Sequence, residues 1–565
     1  MTKIKNILFI MADQLRWDYL SCYGHPHLDT PNIDKLASKG LRFDRAYVQS
    51  PVCGPSRASP YPARTVFSHG ATWNRVPLPL GELTLGDYLR PQGVTTAVVG
   101  KTHMVPDREG MARLGVEAGG DIGIKVSQPG FDPYERDDGL HPDGVLAAKG
   151  GKLRYNDWLR DKGYAGDNPW DRWANSAEGP EGELLSGWHL KNSNLPARVR
   201  EEHSETAYMT MRAREFIEEM GDQPWLCHLS YIKPHWPYIA PAPYHDMYGP
   251  ESFLPLHRSA EERADPNPVY AAFMGMEVSE TFSKQGAREV VLPAYMGLIK
   301  QIDDHLGRLF DWLEETGRDR DTMIVLTSDH GDYLGDHWMG EKELFHECSV
   351  RVPLIICDPR PEADATRGTA CDALVEAIDL APTFVEAAGG QVADHILEGR
   401  SLMPWIRGEA PADWRDVVIS EYDYSVTPRA DALGVSPRDA RMCMVFDGRW
   451  KLIHFEGGFR PMLFDLETDP DEFTDLGAEA DHADQIDRLY ARLGHWGRRM
   501  AQRVTMSDDD IRAARGSSMR RGILPFLVDG SEVPAELTEK YRGPARQVHL
   551  DGPAAEEDPH DVRRS

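Results

Sequence analysis

The sequence predicts an α/β protein with a large mixed, mostly parallel sheet flanked by helices. A smaller antiparallel sheet plus helix is expected at the C-terminal end. Three observations lead there. Short continuous apolar runs of strand length recur from the N-terminus to about Cys357. Helical stretches fall between them, the alternation that builds parallel sheets. From about Met442 the apolar runs become closely spaced and are separated by turn signals.

Each element has its own justification. Ile4–Met11 is apolar throughout, as suits a strand buried on both faces. A helix is expected over Asn32–Lys39, with Thr30 as its N-cap, Pro31 in the first turn and Gly40 as the stop. Val94–Val99, Trp225–Tyr231, Met323–Leu326 and Pro353–Cys357 are further buried strands, and Ser204–Met220 and Leu292–Thr316 are helical. Asp107–Asn192 is rich in Gly, Asp and Pro and weakly periodic, so it reads as an insertion at the mouth of the active site. Met442–Phe446 and Trp450–Phe455 pair around Asp447-Gly448, with another strand near Met462–Asp465 and a helix at Asp481–Arg499. The expected division is a catalytic domain over 1–435 with its insertion at about 107–192, a small α+β subdomain over 436–503, and an extension over 504–565. The extension carries an apolar patch at Ile523–Val528 and is expected to make subunit contacts in a homo-oligomer, a dimer or tetramer.

Composition bounds the partners. The 565 residues are 41% hydrophobic and 27% charged, an ordinary globular balance. The formal net charge of −28 argues against nucleic acid, whose phosphates attract basic surfaces. It leaves room for a small anionic substrate, because a local basic pocket can sit inside an acidic shell. The apolar stretch Ile7–Ala12 is ended by Asp13, shorter than a signal peptide needs, and no run is long enough to span a bilayer. The 7 cysteines are scattered without a CxxC pair. No membrane partner and a cytoplasmic, reducing location are therefore expected.

Open parallel sheets bind ligands outside the carboxyl ends of their strands. Asp13 and Gln14 follow the first run, Lys101 and His103 the second, Lys233 and His235 the third, and Asp329 and His330 the fourth. Singly, each could be a helix cap or a satisfied structural residue. Together they place metal-ligand types and cations on one rim. Asp13, Gln14, Asp329 and His330 offer three oxygens and one imidazole to a divalent ion, Mn2+ or Ca2+. Asp332 and Asp336 are the alternative ligands, set aside because Asp329 lies closer to the strand end. In Pro51-Val-Cys-Gly-Pro-Ser-Arg, Pro55 can start a helix with Ser56 and Arg57 in its first turn. That leaves Cys53 beside a helix N-terminus, where unpaired N–H groups and a guanidinium favour an anion.

These residues resemble the sulfatase family of the alkaline phosphatase superfamily, and the likeness spans about residues 3–500. Cys53-Gly54-Pro55-Ser56-Arg57 matches the signature whose cysteine is oxidised to Cα-formylglycine. Asp13-Gln14, Gly100-Lys101-Thr102-His103, Pro234-His235-Trp236-Pro237, Asp329-His330, Gly340-Glu341-Lys342 with Glu347 and Arg351, and Leu463–Pro470 follow in the family's order. Phe67–Asn74 and Thr84–Arg90 are similar to the branch of phosphonate monoester hydrolases and their arylsulfatase relatives. The Gln14 and His330 ligands also follow that branch, where most sulfatases offer Asp and Asn. Lys101 and His103 follow the general sulfatase pattern instead. The family's Tyr-Thr-Gly-Arg reads Tyr61-Pro62-Ala63-Arg64 here.

The resemblance implies an alkaline phosphatase-like fold and a formylglycine-generating enzyme as a maturation partner. It also implies a nucleophile in the form of the hydrated aldehyde, a geminal diol, at position 53. Arg57, Asn74, Lys101 and Lys342 would hold the non-bridging oxygens. His235, with Lys342, would protonate or stabilise the leaving alcohol, and His103 would take the proton from the second hydroxyl. Sulfate monoester hydrolysis is the expected reaction, with phosphonate monoester or phosphodiester hydrolysis as the alternative main activity. A binding protein on a decayed scaffold is disfavoured by the joint retention of nucleophile, ligands and histidines.

Overall fold

Odd and even residues of β1 (Asn6–Asp13) belong to different cores. Ile7, Phe9 and Met11 pack on one side of the central sheet and Leu8, Ile10 and Ala12 on the other. A run with no polar face can only be satisfied in such a two-sided position. The computed structural model describes residues 3–139, 154–499 and 505–515.

The other strands are β2 (Leu41–Tyr47), β3 (Thr95–Gly100), β4 (Asp132–Arg136), β5 (Ser176–Glu178), β6 (Leu184–Ser186), β7 (Trp225–Pro234), β8 (Thr322–Ser328), β9 (Arg351–Cys357), β10 (Thr369–Cys371), β11 (Val375–Glu376), β12 (Val418–Asp423), β13 (Arg441–Phe446), β14 (Trp450–Phe455) and β15 (Met462–Asp465). Among the described residues, nine form the main sheet. Its order is β10-β2-β9-β8-β1-β7-β3-β4, with β11 added to β2. Every pairing is parallel except those of β9, which runs against both β8 and β2. The sheet is thus mixed and mostly parallel, as expected. The carboxyl ends of β1, β3, β7 and β8 share one rim, and the reversed β9 brings its beginning there.

β12 to β15 form a separate antiparallel sheet in sequence order. Its alternate residues Ile419, Val445, Leu452 and Leu463 meet Leu489 of the helix Ala483–Arg499. Met444, Ile453, Met462 and Phe464 face the main core. This sheet starts at Val418, ahead of residue 436, because β12 pairs with β13 along its whole length.

Three other expectations need correction. Thr30 precedes α1 (Pro31–Lys39) but makes no side-chain cap; its hydroxyl accepts from Ser21 N. The cap comes from the helix Ala287–Glu315, whose Asp303 carboxylate accepts from Asn32 N at 3.0 Å and Ile33 N at 2.9 Å. The helix at the cysteine motif, α2 (Cys53–Ala58), begins two residues before Pro55. Proline fits in its first turn because the missing N–H needs no partner there. The expected insertion is not wholly separate, since β4 extends the main sheet beside β3. Its sequence Asp-Pro-Tyr-Glu-Arg lacks the apolar run that marks a central strand.

Residues 503–565 form a second unit. Its described residues include the helix Asp508–Ala514, begun by a capping box between Ser507 and Asp510. The patch Ile523–Val528 lies outside the described residues. Among those described, no helix is long and apolar enough to cross a membrane.

Candidate active site

The rim gathers buried groups of both charges. Asp13 ends β1, and Gln14 follows in a left-handed turn with φ 66°. Lys101 follows β3, and His235 follows β7. Asp329 and His330 follow β8, and Lys342 lies in the segment leading to β9. Cys53 is the first residue of α2, whose N-terminus points into the same space.

Local packing explains the glycine after Cys53. A Cβ on Gly54 would lie 2.7 Å from Asn74 Oδ1 and 2.9 Å from Asn74 Cα. Glycine lets Asn74 approach and accept the Gly54 N–H at 2.8 Å. Asn74 therefore satisfies an orphan donor of α2 through Oδ1, leaving only its amide nitrogen for a substrate oxygen.

Arg57 is fully buried beneath the site. Its Nε donates to Asp329 Oδ2 at 2.8 Å and Nη2 to Asp13 Oδ2 at 3.0 Å. Nη1 donates to Lys101 O at 3.0 Å and Ser230 Oγ at 2.8 Å. The guanidinium thus joins both carboxylates from below instead of reaching for a substrate oxygen, as the motif alone suggests. Lys101 Nζ lies 2.5 Å from Asp13 Oδ2. Burial by itself would raise the Asp13 carboxyl, but Lys101, His235, Arg57 and His330 together hold it well below its ordinary value.

Asp13, Cys53, Asp329 and His330 form a buried cluster whose ligand atoms all lie within 4.8 Å of one another. His330 Nδ1 is 2.9 Å from Gly331 O, which makes Nδ1 the protonated nitrogen and turns Nε2 toward the cluster. Nε2 is 3.0 Å from Cys53 Sγ, 3.8 Å from Asp13 Oδ1 and 3.7 Å from Asp329 Oδ2. Arg57 and Lys101 occupy Asp13 Oδ2, so Oδ1 keeps lone pairs for a cation. Gln14 Oε1 accepts from Lys342 Nζ at 2.9 Å and retains a second lone pair. This donor set fits a divalent ion bound by Asp13, Gln14, Asp329 and His330.

The alternative ligands are engaged elsewhere. Asp332 accepts from Tyr238 and Gln14 Nε2, and burial pushes its carboxyl up to about 6. Asp336 pairs with Arg16. Lys233 is drawn away from the rim to Asn175 Oδ1 and Pro237 O, both at 2.9 Å.

On the other side of Cys53, Lys342 Nζ donates to His235 Nε2 at 3.0 Å, and His235 Nδ1 donates to Trp236 O at 2.7 Å. Burial, with Lys342 beside it, holds His235 well below its ordinary value, so the ring is neutral at neutral pH. His103 takes φ 59°, and Asp138 Oδ1 accepts its backbone N–H at 3.1 Å. Burial and Lys101 also lower the His103 ring. Among the described residues, its Nδ1 has no partner.

Tyr238, Asp332, Asp138 and Ser230 support the site; the sequence offers Asp332 only as an alternative ligand, and its motifs do not single out the other three. Tyr238 lies three residues past His235 and Asp332 three past Asp329, which is the signal that sequence held for them. Ser230 and Asp138 had none. Their roles exist only across strands.

The sheet order, the small second sheet and the buried rim define a hydrolase of the alkaline phosphatase superfamily. The sulfatase family model matches residues 5–390, so the chain belongs to the sulfatase family. A second model, N-sulphoglucosamine sulphohydrolase C-terminal, matches residues 335–498. The chain is 32% identical to a multifunctional alkaline phosphatase superfamily protein of Trinickia caryophylli, over 86% of this chain and 94% of that protein. It is 27% identical to an arylsulfatase of Clostridium perfringens, over 86% and 92%. Among solved structures, a phosphonate monoester hydrolase from Silicibacter pomeroyi superposes with a TM-score of 0.77 at 28% identity, covering 90% of this chain and 98% of that one.

Proposed function

We propose that the protein hydrolyses sulfate monoesters of aryl type, releasing sulfate and a phenol or alcohol. The observation that carries this reading is Cys53 at a helix N-terminus, with its sulfur 3.0 Å from His330 Nε2. Lys101 and Lys342 stand beside it as buried cations. In its formylglycine form, residue 53 would supply the attacking oxygen as an aldehyde hydrate. A divalent ion held by Asp13, Gln14, Asp329 and His330 would supply Lewis-acid polarisation.

The chain's own residues do the rest. Lys101, Lys342 and the Asn74 amide nitrogen offset charge on the non-bridging oxygens. Arg57 helps keep Asp13 ionised and holds both Asp13 and Asp329 in place by direct hydrogen bonds. The Lys342–His235 pair provides the proton or charge that the departing oxygen needs, with His235 anchored through Nδ1. His103, neutral and with Nδ1 unpartnered, is the base beside residue 53. The cationic set suits a monoanionic sulfate or phosphonate ester.

A second reading, phosphonate monoester or phosphodiester hydrolysis as the main activity, is favoured by His330 and by the likeness to the Silicibacter enzyme. Comparing kcat/KM on an aryl sulfate and an aryl phosphonate monoester decides between them, with the sulfate expected to be the better substrate. Mass spectrometry of the peptide carrying Cys53 is expected to find formylglycine in active protein. Full activity with an unmodified thiol, or with every divalent ion removed, would overturn the mechanism.

A further inference from the structure

A cavity of ≈ 740 Å³ opens beside Trp236 and Tyr238, the residues that follow His235. That volume falls in the range of about 300–1,000 Å³ typical of small-molecule sites. Trp236 links it to the rim. Its ring lies 4.4 Å from that of His235 and 5.7 Å from Lys342 Nζ, on the side where the leaving oxygen departs. The facing wall is Trp188, whose ring meets that of Trp236 at 5.2 Å and 65°. Met276 and Val278 add apolar surface.

Trp188 is held in place although it belongs to the inserted segment. Its Nε1 donates to Asp171 Oδ1 at 3.0 Å. Gly187 N donates to Asn175 O at 2.9 Å, an approach so close that a Cβ on Gly187 would come within 2.5 Å of that oxygen. Lys233 anchors Asn175 in turn to the end of β7 at 2.9 Å. Among the described residues, two buried donors lining the cavity, Trp236 Nε1 and Arg429 Nε, have no acceptor. Arg429 Nη1 makes one long contact, 3.5 Å to Ala272 O. Among the described residues, no carboxylate lies within 4.0 Å of its guanidinium, although the buried Glu343 carboxyl feels its charge and Glu277 and Glu341 also line the cavity.

We propose that this cavity is the leaving-group subsite, with Trp188 and Arg429 as its specificity-determining residues. Its substrate class is an ester of an aromatic alcohol that carries an acceptor substituent such as a carboxylate. The aromatic body packs against the Trp188–Trp236 pair, and the substituent meets the unpaired donors. The inference rests on the site being an ester hydrolase that releases its alcohol on the His235 side.

Calorimetric titration of the full chain with 2-naphthol and 6-hydroxy-2-naphthoate tests it without requiring turnover. Both are expected to bind, the naphthoate more tightly. Trp188→Ala should weaken both by about tenfold, with Trp188→Phe recovering most of the loss. Arg429→Leu should weaken the naphthoate by about tenfold and leave 2-naphthol unchanged. Each tenfold step is about 1.4 kcal/mol. Wild-type affinity in the Trp188→Ala variant, or no binding to the wild type, would overturn the subsite. Tighter binding of a glucosamine in place of the naphthols would also overturn it, in favour of a sugar alcohol. Binding as expected in a protein that hydrolyses neither aryl sulfate nor aryl phosphonate would overturn the leaving-group role and leave the cavity a binding site for aromatic alcohols.

Discussion

Arg57 shows how much the environment of one side chain decides. Its fork bonds two carboxylates, a backbone carbonyl and a hydroxyl, all out of contact with water. Removing one partner from such a group leaves uncompensated charge in low dielectric, at a cost of about 3–5 kcal/mol. Arg57→Ala is therefore expected to lower the unfolding free energy of metal-free protein by about that amount, measured in urea. A purely substrate-contacting arginine would leave stability unchanged. Ala63 is a smaller case. It occupies φ 55° where the family has glycine, a conformation that costs an L-residue roughly 1 kcal/mol or more.

Two elements are positioned through close contacts or a cap from a distant segment. Gly100 ends β3 at φ 111°, and a Cβ there would fall 1.9 Å from Ser230 O of β7. Lys101 N donates to that same oxygen at 3.0 Å. Gly100→Ala must push β3 and β7 apart or shift Lys101. Activity is expected to fall at least about tenfold, with a lower melting temperature, whereas Gly93→Ala, which meets nothing within 4 Å, should cost little activity. The cap of α1 is supplied from a distant helix. Asp303→Ala leaves the Asn32 and Ile33 N–H groups unmet and should cost about 1–2 kcal/mol by chemical denaturation. Wild-type stability in Asp303→Ala would contradict this assignment.

At the scale of the whole molecule, the small sheet is fastened to the catalytic body by buried polar links. Lys451 of β14 reaches Glu347 at 2.9 Å, Glu472 at 2.6 Å and Phe345 O at 3.0 Å, close behind the segment that carries Lys342. Glu421 of β12 accepts from Phe67 N at 3.1 Å, in the stretch leading to Asn74. Burial pushes the Glu421 carboxyl from 4.5 up to about 8, with Glu398 nearby adding to the rise. A raised carboxyl contributes stability that is fully present below about pH 4.5 and is lost as pH climbs to about 8. Glu421→Gln cannot ionise. Its stability is expected to fall less steeply than that of wild type across this window, by up to about 1.4 kcal/mol per pH unit. Parallel pH profiles from urea titrations would show that Glu421 does not titrate there.

Asp13, Lys101, His235, Asp329 and His330 were legible in the sequence because each stands just past an apolar run, and parallel strands must end on one rim. The alternating cores of β1 and the pairing of β13 with β14 were legible for the same reason, since apolar periodicity is a local property of the chain. Which way Arg57 turns, that Asp303 caps α1, that β4 joins the main sheet and that Trp188 faces Trp236 were not. Those outcomes depend on side chains separated by tens to hundreds of residues meeting at hydrogen-bonding distance. Sequence therefore determined which chemistry the rim could hold. Only the tertiary structure decided which charges neutralise one another beneath the site and which remain facing a substrate, because burial and partner distance set the cost of every buried charge.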